Sequence, residues 1–134
     1  MLKKVHVLFA ASIAYAAGLE PEKIAAAAAF GVVSDLDHVI GLKHRSVTHS
    51  LIFSFAIGVL LYAIRPDFII ASQIGILSHL FADMFTKGGV PLLYPSVKRF
   101  RIANFRYDSL AGNFMIVLIS ALLIFLKVRA TTSL

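Results

Sequence analysis

Cysteine and tryptophan are absent from this 134-residue chain, and charged residues are scarce. Without cysteine there is no disulfide framework, no thiolate metal ligand and no thiol nucleophile. Charged residues make up 15% of the sequence, against roughly 25% in ordinary soluble domains. A metal site in this chain must therefore use histidine and carboxylate ligands, which suit zinc, manganese or iron.

Apolar residues are in excess, at 59% of the sequence and a mean hydropathy of +0.86. The length suits one domain, so we expect residues 1–134 to form a single unit. The net charge is +6, but long apolar runs lie where a nucleic-acid-binding domain would expose polar surface. We therefore expect membrane lipids as partners, and no nucleic acid.

Five apolar segments predict an all-α integral membrane bundle. The predicted helices cover residues 4–17, 21–33, 47–64, 66–86 and 109–128, with Asp108 or Ser109 as N-cap of the fifth. The last three have roughly 20 residues each, the length that crosses a hydrocarbon core. The first two predicted helices are thin spans or a hairpin packed on the others. Small residues on the second and third predicted helices would permit a homodimer. His6 interrupts the first apolar run, so we expect a retained helix and not a signal peptide.

If all five segments cross, the basic residues divide unequally between the two membrane faces. One face would carry nine of the thirteen, namely Lys3, Lys4, Lys43, Arg45, Lys87, Lys98, Arg99, Arg101 and Arg106. The positive-inside rule places that face in the cytoplasm, so we expect a multi-pass protein of the inner membrane. The four basic residues between positions 98 and 106 are expected to anchor on lipid headgroups.

The same topology brings all five histidines and three of the seven acidic residues to the cytoplasmic face. They are His6, Asp35, Asp37, His38, His44, His49, His79 and Asp83. On the fourth predicted helix, His79 and Asp83 are four residues apart and share a stripe with Ser72, Gly75 and Thr86. Ionisable residues in membrane helices are costly and usually functional. We therefore favour a metal site over an isolated His–Asp hydrogen bond.

Three short motifs carry these residues: SDLDH at 34–38, HRSVTHS at 44–50 and HLFAD at 79–83. In this order, and followed by a Gly-Gly pair and a proline, they resemble the membrane-bound metal-dependent hydrolase family, from His6 to about Asp108. That family looks distantly similar to zinc-dependent phospholipase C and to helical single-strand nucleases. The resemblance implies a cluster of zinc ions held by His and Asp side chains, and cleavage of phosphoesters. It does not imply a substrate.

All eight residues gathered at the cytoplasmic face are candidate metal ligands. We expect two or more divalent ions, zinc before manganese or iron. Of His38 and His44, one is expected to bind metal and the other to contact substrate or support a ligand. Asp35 or Asp37 could orient the attacking water or accept its proton. Arg45 could stabilise developing negative charge, or could be a membrane anchor.

The leading hypothesis is hydrolysis of a phosphoester, a phospholipid among the candidates, by a metal-activated water at the cytoplasmic face. A metal-ion or proton transporter is the first alternative, but its ligands should lie near the bilayer midplane. The second alternative is a non-catalytic protein stabilised by metal, whose site would be closed to water and substrate.

Overall fold

The computed structural model describes residues 1–39, 41 and 45–133, and the side chain of His38 lies outside that description. Over these residues the chain is all-α, with five α-helices and no β-strand, as the sequence predicts. The helices are α1 (Lys3–Ala16), α2 (Pro21–Phe30), α3 (Leu51–Ile64), α4 (Ile69–Met84) and α5 (Leu110–Thr132). Three 3₁₀ turns, Val33–His38, Val47–His49 and Pro66–Phe68, lie between them.

The ends of the helices follow local capping chemistry. Pro21 occupies the first turn of α2, where the missing N–H costs nothing. Ser50 caps α3 by accepting a hydrogen bond from the Phe53 N–H at 3.3 Å. Ser109, one of the two predicted caps of α5, accepts from the Gly112 N–H at 3.4 Å. Asp108 instead pairs with the guanidinium of Arg106.

Two of the predicted spans are shorter than expected. α3 has 14 residues and α4 has 16, which correspond to about 21 Å and 24 Å of helix against a hydrocarbon core of roughly 30 Å. Most of the missing residues form the 3₁₀ turns Val47–His49 and Pro66–Phe68. Among the described helices, α5 alone has the length and composition to cross a bilayer, with 23 residues and a hydropathy of 2.2.

α4 is central, since it packs against α1, α2 and α3, while α1 also packs against α2 and α5. The approach of α2 to α4 depends on Gly75. A Cβ at this position would lie 2.5 Å from the Ala27 carbonyl oxygen and 2.5 Å from the Phe30 Cβ. Small residues allow this kind of backbone contact between membrane helices, and here it brings the end of α2 against the middle of α4.

The outer surfaces of α3 and α5 are apolar. Large exposed side chains include Leu51, Ile52, Phe55, Val59, Leu60 and Tyr62 on α3, and Leu110, Phe114, Leu118, Leu122 and Phe125 on α5. Soluble monomers rarely expose contiguous apolar patches of this extent. These two faces are therefore suited to lipid.

The segment between α4 and α5 folds back onto the end of α4. Isolated bridges pair Thr86 with Phe105 and Val90 with Phe100. One of the predicted lipid anchors in this segment makes structural hydrogen bonds. Arg99 donates to the carbonyl oxygens of Gly88 and Arg45, at 3.2 and 3.3 Å, and so ties the segment to the chain that precedes α3.

Candidate metal centre

α4 presents one buried polar stripe to the interior of the bundle. Ser72, Gly75, His79 and Asp83 lie along it, and Thr86 continues it just beyond the last residue of the helix. The spacing of three and four residues places them on one face. The Thr86 hydroxyl donates to the Asp83 carbonyl oxygen at 2.7 Å. The ionisable members of this stripe are therefore held inside the protein by helix geometry.

The tautomer of His79 follows from a single contact. Its Nδ1 lies 2.8 Å from the carbonyl oxygen of Gly31. A carbonyl can only accept, so Nδ1 carries the proton and Nε2 of the neutral ring keeps its lone pair. Gly31 follows the last residue of α2, where helix carbonyls lack intrahelical partners. The end of α2 thus leaves His79 Nε2 available as a metal ligand.

His49 and Asp35 both face Nε2 of His79. His49 Nε2 lies 3.2 Å from His79 Nε2, and Asp35 Oδ1 lies 3.6 Å and 3.7 Å from these two nitrogens respectively. Two imidazole nitrogens at 3.2 Å either share a proton or direct both lone pairs at one cation. Both residues lie on 3₁₀ turns, and for His49 this differs from the sequence prediction, which began the third helix at residue 47.

His6 reaches the centre from α1. Its ring stacks on the His79 ring, with centroids 3.9 Å apart and 22° between the planes. Its Nε2 lies 3.3 Å from Asp83 Oδ1, and the Met1 amino group contacts the same oxygen. Within the described part of the chain, His6 Nδ1 is buried with no hydrogen-bond partner. The ring is thus held inside the centre by stacking and by Asp83.

Two overlapping groups of three side chains could hold a metal ion. One comprises His6, Asp35 and His79, the other His49, His79 and Asp83, and within each the ligand atoms lie within 4.8 Å of one another. Imidazole nitrogen and carboxylate oxygen together suit zinc, manganese or iron. His79 belongs to both groups yet offers one nitrogen, so it can complete the ligand set of one ion only. The described residues therefore form one shared centre of five side chains.

Asp37 lies on the other side of His49. Its Oδ2 accepts from the Arg45 N–H at 3.0 Å and from the Thr48 hydroxyl at 3.3 Å, and lies 3.6 Å from His49 Nδ1. Asp37 is fully buried and belongs to neither of the two groups. Metal-binding histidines commonly have a carboxylate on their other nitrogen. These contacts favour Asp37 as a residue that orients His49, and its predicted role as ligand or base stays a prediction.

Arg45 lies inside the site. Its Nη2 is 2.8 Å from Asp83 Oδ2, and its Nη1 donates to the Thr86 hydroxyl at 2.8 Å and to the Gly89 carbonyl oxygen at 3.4 Å. Its backbone has φ of 57°, a left-handed conformation that non-glycine residues seldom adopt. Of its two predicted roles, these contacts favour the one at the site. Thr86, named in the sequence only as part of the stripe, joins the site through this guanidinium.

The remaining two candidate ligands stay predictions. His44 lies outside the described residues. His38 ends the 3₁₀ turn Val33–His38, but its side chain is also outside the description.

Asp35 is held as a carboxylate by its neighbours. Burial acts to raise its pKa, but a hydrogen bond from His49 and the nearby His79 and His6 rings lower it, to about 2. At neutral pH this side chain is therefore ionised, which is the form that binds a cation.

A cavity of about 740 Å³ adjoins the centre. Asp35, Arg45, Asp83 and Thr86 form part of its wall. Gly88 lines it as well, and a Cβ there would meet the Arg45 guanidinium at 2.1 Å. The volume is that of a typical small-molecule site, so the centre has room beside it for water and a ligand.

Comparison with known proteins identifies the family. The profile of the YdjM inner membrane protein family matches residues 1–133. The chain belongs to this family. The inner membrane protein YdjM of Escherichia coli (strain K12) is 46% identical over 66 residues, which cover 44% of this chain and 34% of that protein. YdjM of Shigella flexneri gives the same figures. The chain thus matches about a third of the length of these relatives.

A longer match is to YvsG of Bacillus subtilis (strain 168), which is 32% identical over 125 residues, 76% of this chain and 78% of that protein. No solved structure matches the chain. The YdjM relatives support the predicted inner-membrane location. The YdjM family is described by its location and not by a reaction, so the resemblance to metal-dependent hydrolases stays a prediction.

Proposed function

We propose that this member of the YdjM family is a membrane-embedded, metal-dependent hydrolase that cleaves a phosphoester with a metal-activated water. One observation carries the proposal: five buried side chains from different elements converge beside an open cavity. They are His6, Asp35, His49, His79 and Asp83, with ligand atoms close enough to share an ion. Buried ionisable groups are costly unless they are paired or bind metal. Their convergence beside a cavity therefore supports a metal-binding site.

The residues present fit a divalent ion. His79 Nε2 keeps its lone pair because the Gly31 carbonyl accepts from Nδ1, and Asp35 is ionised at neutral pH. An ion held by these groups supplies a bound water whose pKa is near 7, and polarises a phosphoryl oxygen. Zinc is our first choice among ions, with manganese and iron as alternatives. A second ion would have to use ligands other than His79.

The chain's own residues supply the rest of the chemistry. Asp35 faces both the centre and the cavity, so its carboxylate can orient the attacking water or accept its proton. Arg45 lies beside Asp83 and lines the same cavity, so its planar fork can donate to phosphoryl oxygens as negative charge develops. Asp37 accepts from the Arg45 N–H and the Thr48 hydroxyl, and so holds in place the segment that leads into His49.

We also propose that the bundle is multi-pass and that the centre faces the cytoplasm. The apolar outer surfaces of α3 and α5 support burial in lipid, and the excess of basic residues near the centre supports the cytoplasmic side. The bilayer would thin locally around the short helices α3 and α4. A homodimer through the small residues of α2 and α3 remains a proposal.

Transport of metal ions or protons by the same cluster is the second candidate. The His–His contact of 3.2 Å and the stacked His6 ring would suit a relay. Against it, His79 and Asp83 lie in the last two turns of α4, not in its middle. A non-catalytic metal site is disfavoured by the cavity, which leaves room beside the centre for water and substrate.

The test is hydrolysis of bis(p-nitrophenyl) phosphate by detergent-purified protein. We expect release of p-nitrophenol that is lost on treatment with a chelator and restored by zinc or manganese. The control is Arg65→Gln, which removes an exposed guanidinium that pairs with the neighbouring Asp67 and does not line the cavity. Its activity should equal that of wild type. Activity insensitive to the chelator, or no activity in protein shown to contain metal, would exclude the hydrolase.

A further inference from the structure

The cavity beside the centre has walls of two chemical kinds. Lys3, Lys87 and Arg106 contribute exposed basic side chains. Leu2, Phe105 and Tyr107 contribute apolar surface. A small hydrophilic phosphoester would leave the apolar part of this wall without a hydrocarbon to cover it. A wall that is basic in one part and apolar in another matches a ligand with an anionic head and a hydrocarbon tail.

The position of this cavity along the membrane-spanning helix agrees with such a ligand. Tyr107 lies three residues before Leu110, where α5 begins. Asn113, in the first turn of α5, donates to the Tyr107 carbonyl oxygen at 2.9 Å and accepts from the Leu2 N–H at 3.1 Å. Leu2 and Tyr107, two members of the apolar part of the wall, are therefore fixed to the end of α5, the helix that is long enough to span. In a bilayer, that end lies at the depth of the lipid headgroups.

The same cavity reaches the residues proposed to act on phosphorus. Asp35, Arg45 and Asp83 line it together with the basic and apolar walls. A phosphate that enters among the basic side chains is thus in the same cavity as the guanidinium of Arg45. Exposed basic side chains close to a membrane surface attract negative charge, which favours anionic over zwitterionic lipid.

We propose that this cavity binds the phosphate headgroup of an anionic membrane lipid, with the adjoining hydrocarbon against Phe105 and Tyr107. Binding stands on the cavity alone, whereas cleavage of the bound lipid rests on the proposed function. In that reaction the water oxygen bonds to phosphorus and the bond from phosphorus to one ester oxygen breaks. The alcohol leaves with one proton, and the other proton of the water passes to Asp35 or to solvent.

The test is photo-crosslinking in phosphatidylcholine vesicles that contain a minor fraction of photoactivatable phosphatidic acid, with crosslinked peptides mapped by mass spectrometry. We expect crosslinks in residues 105–107. They should fall by about thirtyfold or more in the double variant Lys3→Glu/Lys87→Glu, because two cations next to the headgroup become anions. The matched control is Lys4→Glu/Arg129→Glu, which reverses two exposed cations that do not line the cavity, and its crosslinks should be unchanged.

Glycerol 3-phosphate separates a lipid site from a site for free phosphoesters. We expect an excess of this soluble compound to leave the crosslinks at residues 105–107 largely intact, since it lacks the hydrocarbon. Equal crosslinking in the two double variants, or complete competition by glycerol 3-phosphate, would overturn the proposal.

A metal-free variant separates the lipid site from the hydrolase. Crosslinking is repeated in His79→Ala, where no catalysis is expected. Crosslinks retained in that variant, with no phosphoester cleaved by metal-loaded wild type, would leave the lipid site standing and remove the hydrolase. Cleavage of soluble esters without crosslinks at residues 105–107 would support the hydrolase and exclude the lipid site.

Discussion

The Nδ1 of His79 donates a hydrogen bond to the carbonyl oxygen of Gly31 at 2.8 Å, and this contact directs Nε2 toward His49, Asp35 and Asp83. The partner is a backbone atom at the end of another helix, so the orientation of the ring depends on how α2 terminates against α4. This contact can be disturbed without replacing any ligand side chain.

Gly31→Ala should weaken metal binding although it removes no ligand. Its Cβ would lie 2.9 Å from the Ala10 Cβ and 3.1 Å from the His6 carbonyl oxygen, so the end of α2 must shift and carry its carbonyl away from His79. Loss of such a supporting contact typically costs 10–100-fold in metal affinity, measured here by titration against a chromogenic chelator. The control is Gly58→Ala, whose Cβ meets only the flexible Gln73 side chain. Unchanged affinity in Gly31→Ala would contradict this role of the carbonyl.

Asp35→Asn and Asp37→Asn should differ, even though the two residues stand only two positions apart. Asp35 faces the nitrogens of His49 and His79, so its loss removes a ligand, and we expect metal retention to collapse. Asp37→Asn keeps an oxygen for the Arg45 N–H and the Thr48 hydroxyl, so we expect bound metal with an affinity about tenfold weaker. Elemental analysis and chelator titration of both variants decide this. Equal loss of bound metal in the two variants would indicate that Asp37 is also a metal ligand.

Arg45→Gln should reduce phosphoester hydrolysis without removing the metal. Loss of a preorganised donor that stabilises developing charge typically costs 10²–10³ in kcat. If Arg45 were only a membrane anchor, kcat in detergent would be close to that of wild type. Steady-state kinetics with bis(p-nitrophenyl) phosphate, beside metal content of the same preparations, separates the two roles.

Much of this site could be predicted from the sequence because its key members lie on one regular helix. The spacing of Ser72, Gly75, His79 and Asp83 fits the period of an α-helix, and α4 does place them on one buried stripe. The motifs at 34–38 and 44–50 supplied Asp35 and His49, the predicted topology added His6, and the structure brings all three to that stripe.

The distinction between Asp35 and Asp37 could not be predicted, because the predicted second helix ended at residue 33 and gave no direction to the side chains that follow it. In the 3₁₀ turn Val33–His38, the two carboxylates face different ring nitrogens of His49. The Gly31 carbonyl has no signal in the sequence, since it is a backbone atom.

The lengths of α3 and α4 were also missed. The 3₁₀ turns Val47–His49 and Pro66–Phe68 adjoin the apolar runs directly, and the residue pattern alone does not show where the α-helical hydrogen bonding stops. The consequence is that two helices predicted to span are shorter than a hydrocarbon core.

The absence of cysteine allows a direct test of the proposed topology. Single cysteines at Lys98 and Arg65, both exposed and on opposite sides of the proposed membrane, can be labelled in intact cells with a membrane-impermeant maleimide. We expect the cysteine at position 65 to react before lysis and the one at position 98 to react only after it. The reverse order would invert the bundle, and equal labelling before lysis would contradict a span between these positions.

The most direct test of the central claim is metal content by inductively coupled plasma mass spectrometry on protein purified in detergent. We predict at least one zinc, manganese or iron ion per wild-type chain, and its loss in His79→Ala. The matched control is Ser12→Ala, a buried α1 side chain that bonds only to its own helix at Phe9, and it should keep the ion. Wild-type protein that binds no metal when zinc and manganese are supplied at neutral pH would contradict the metal centre.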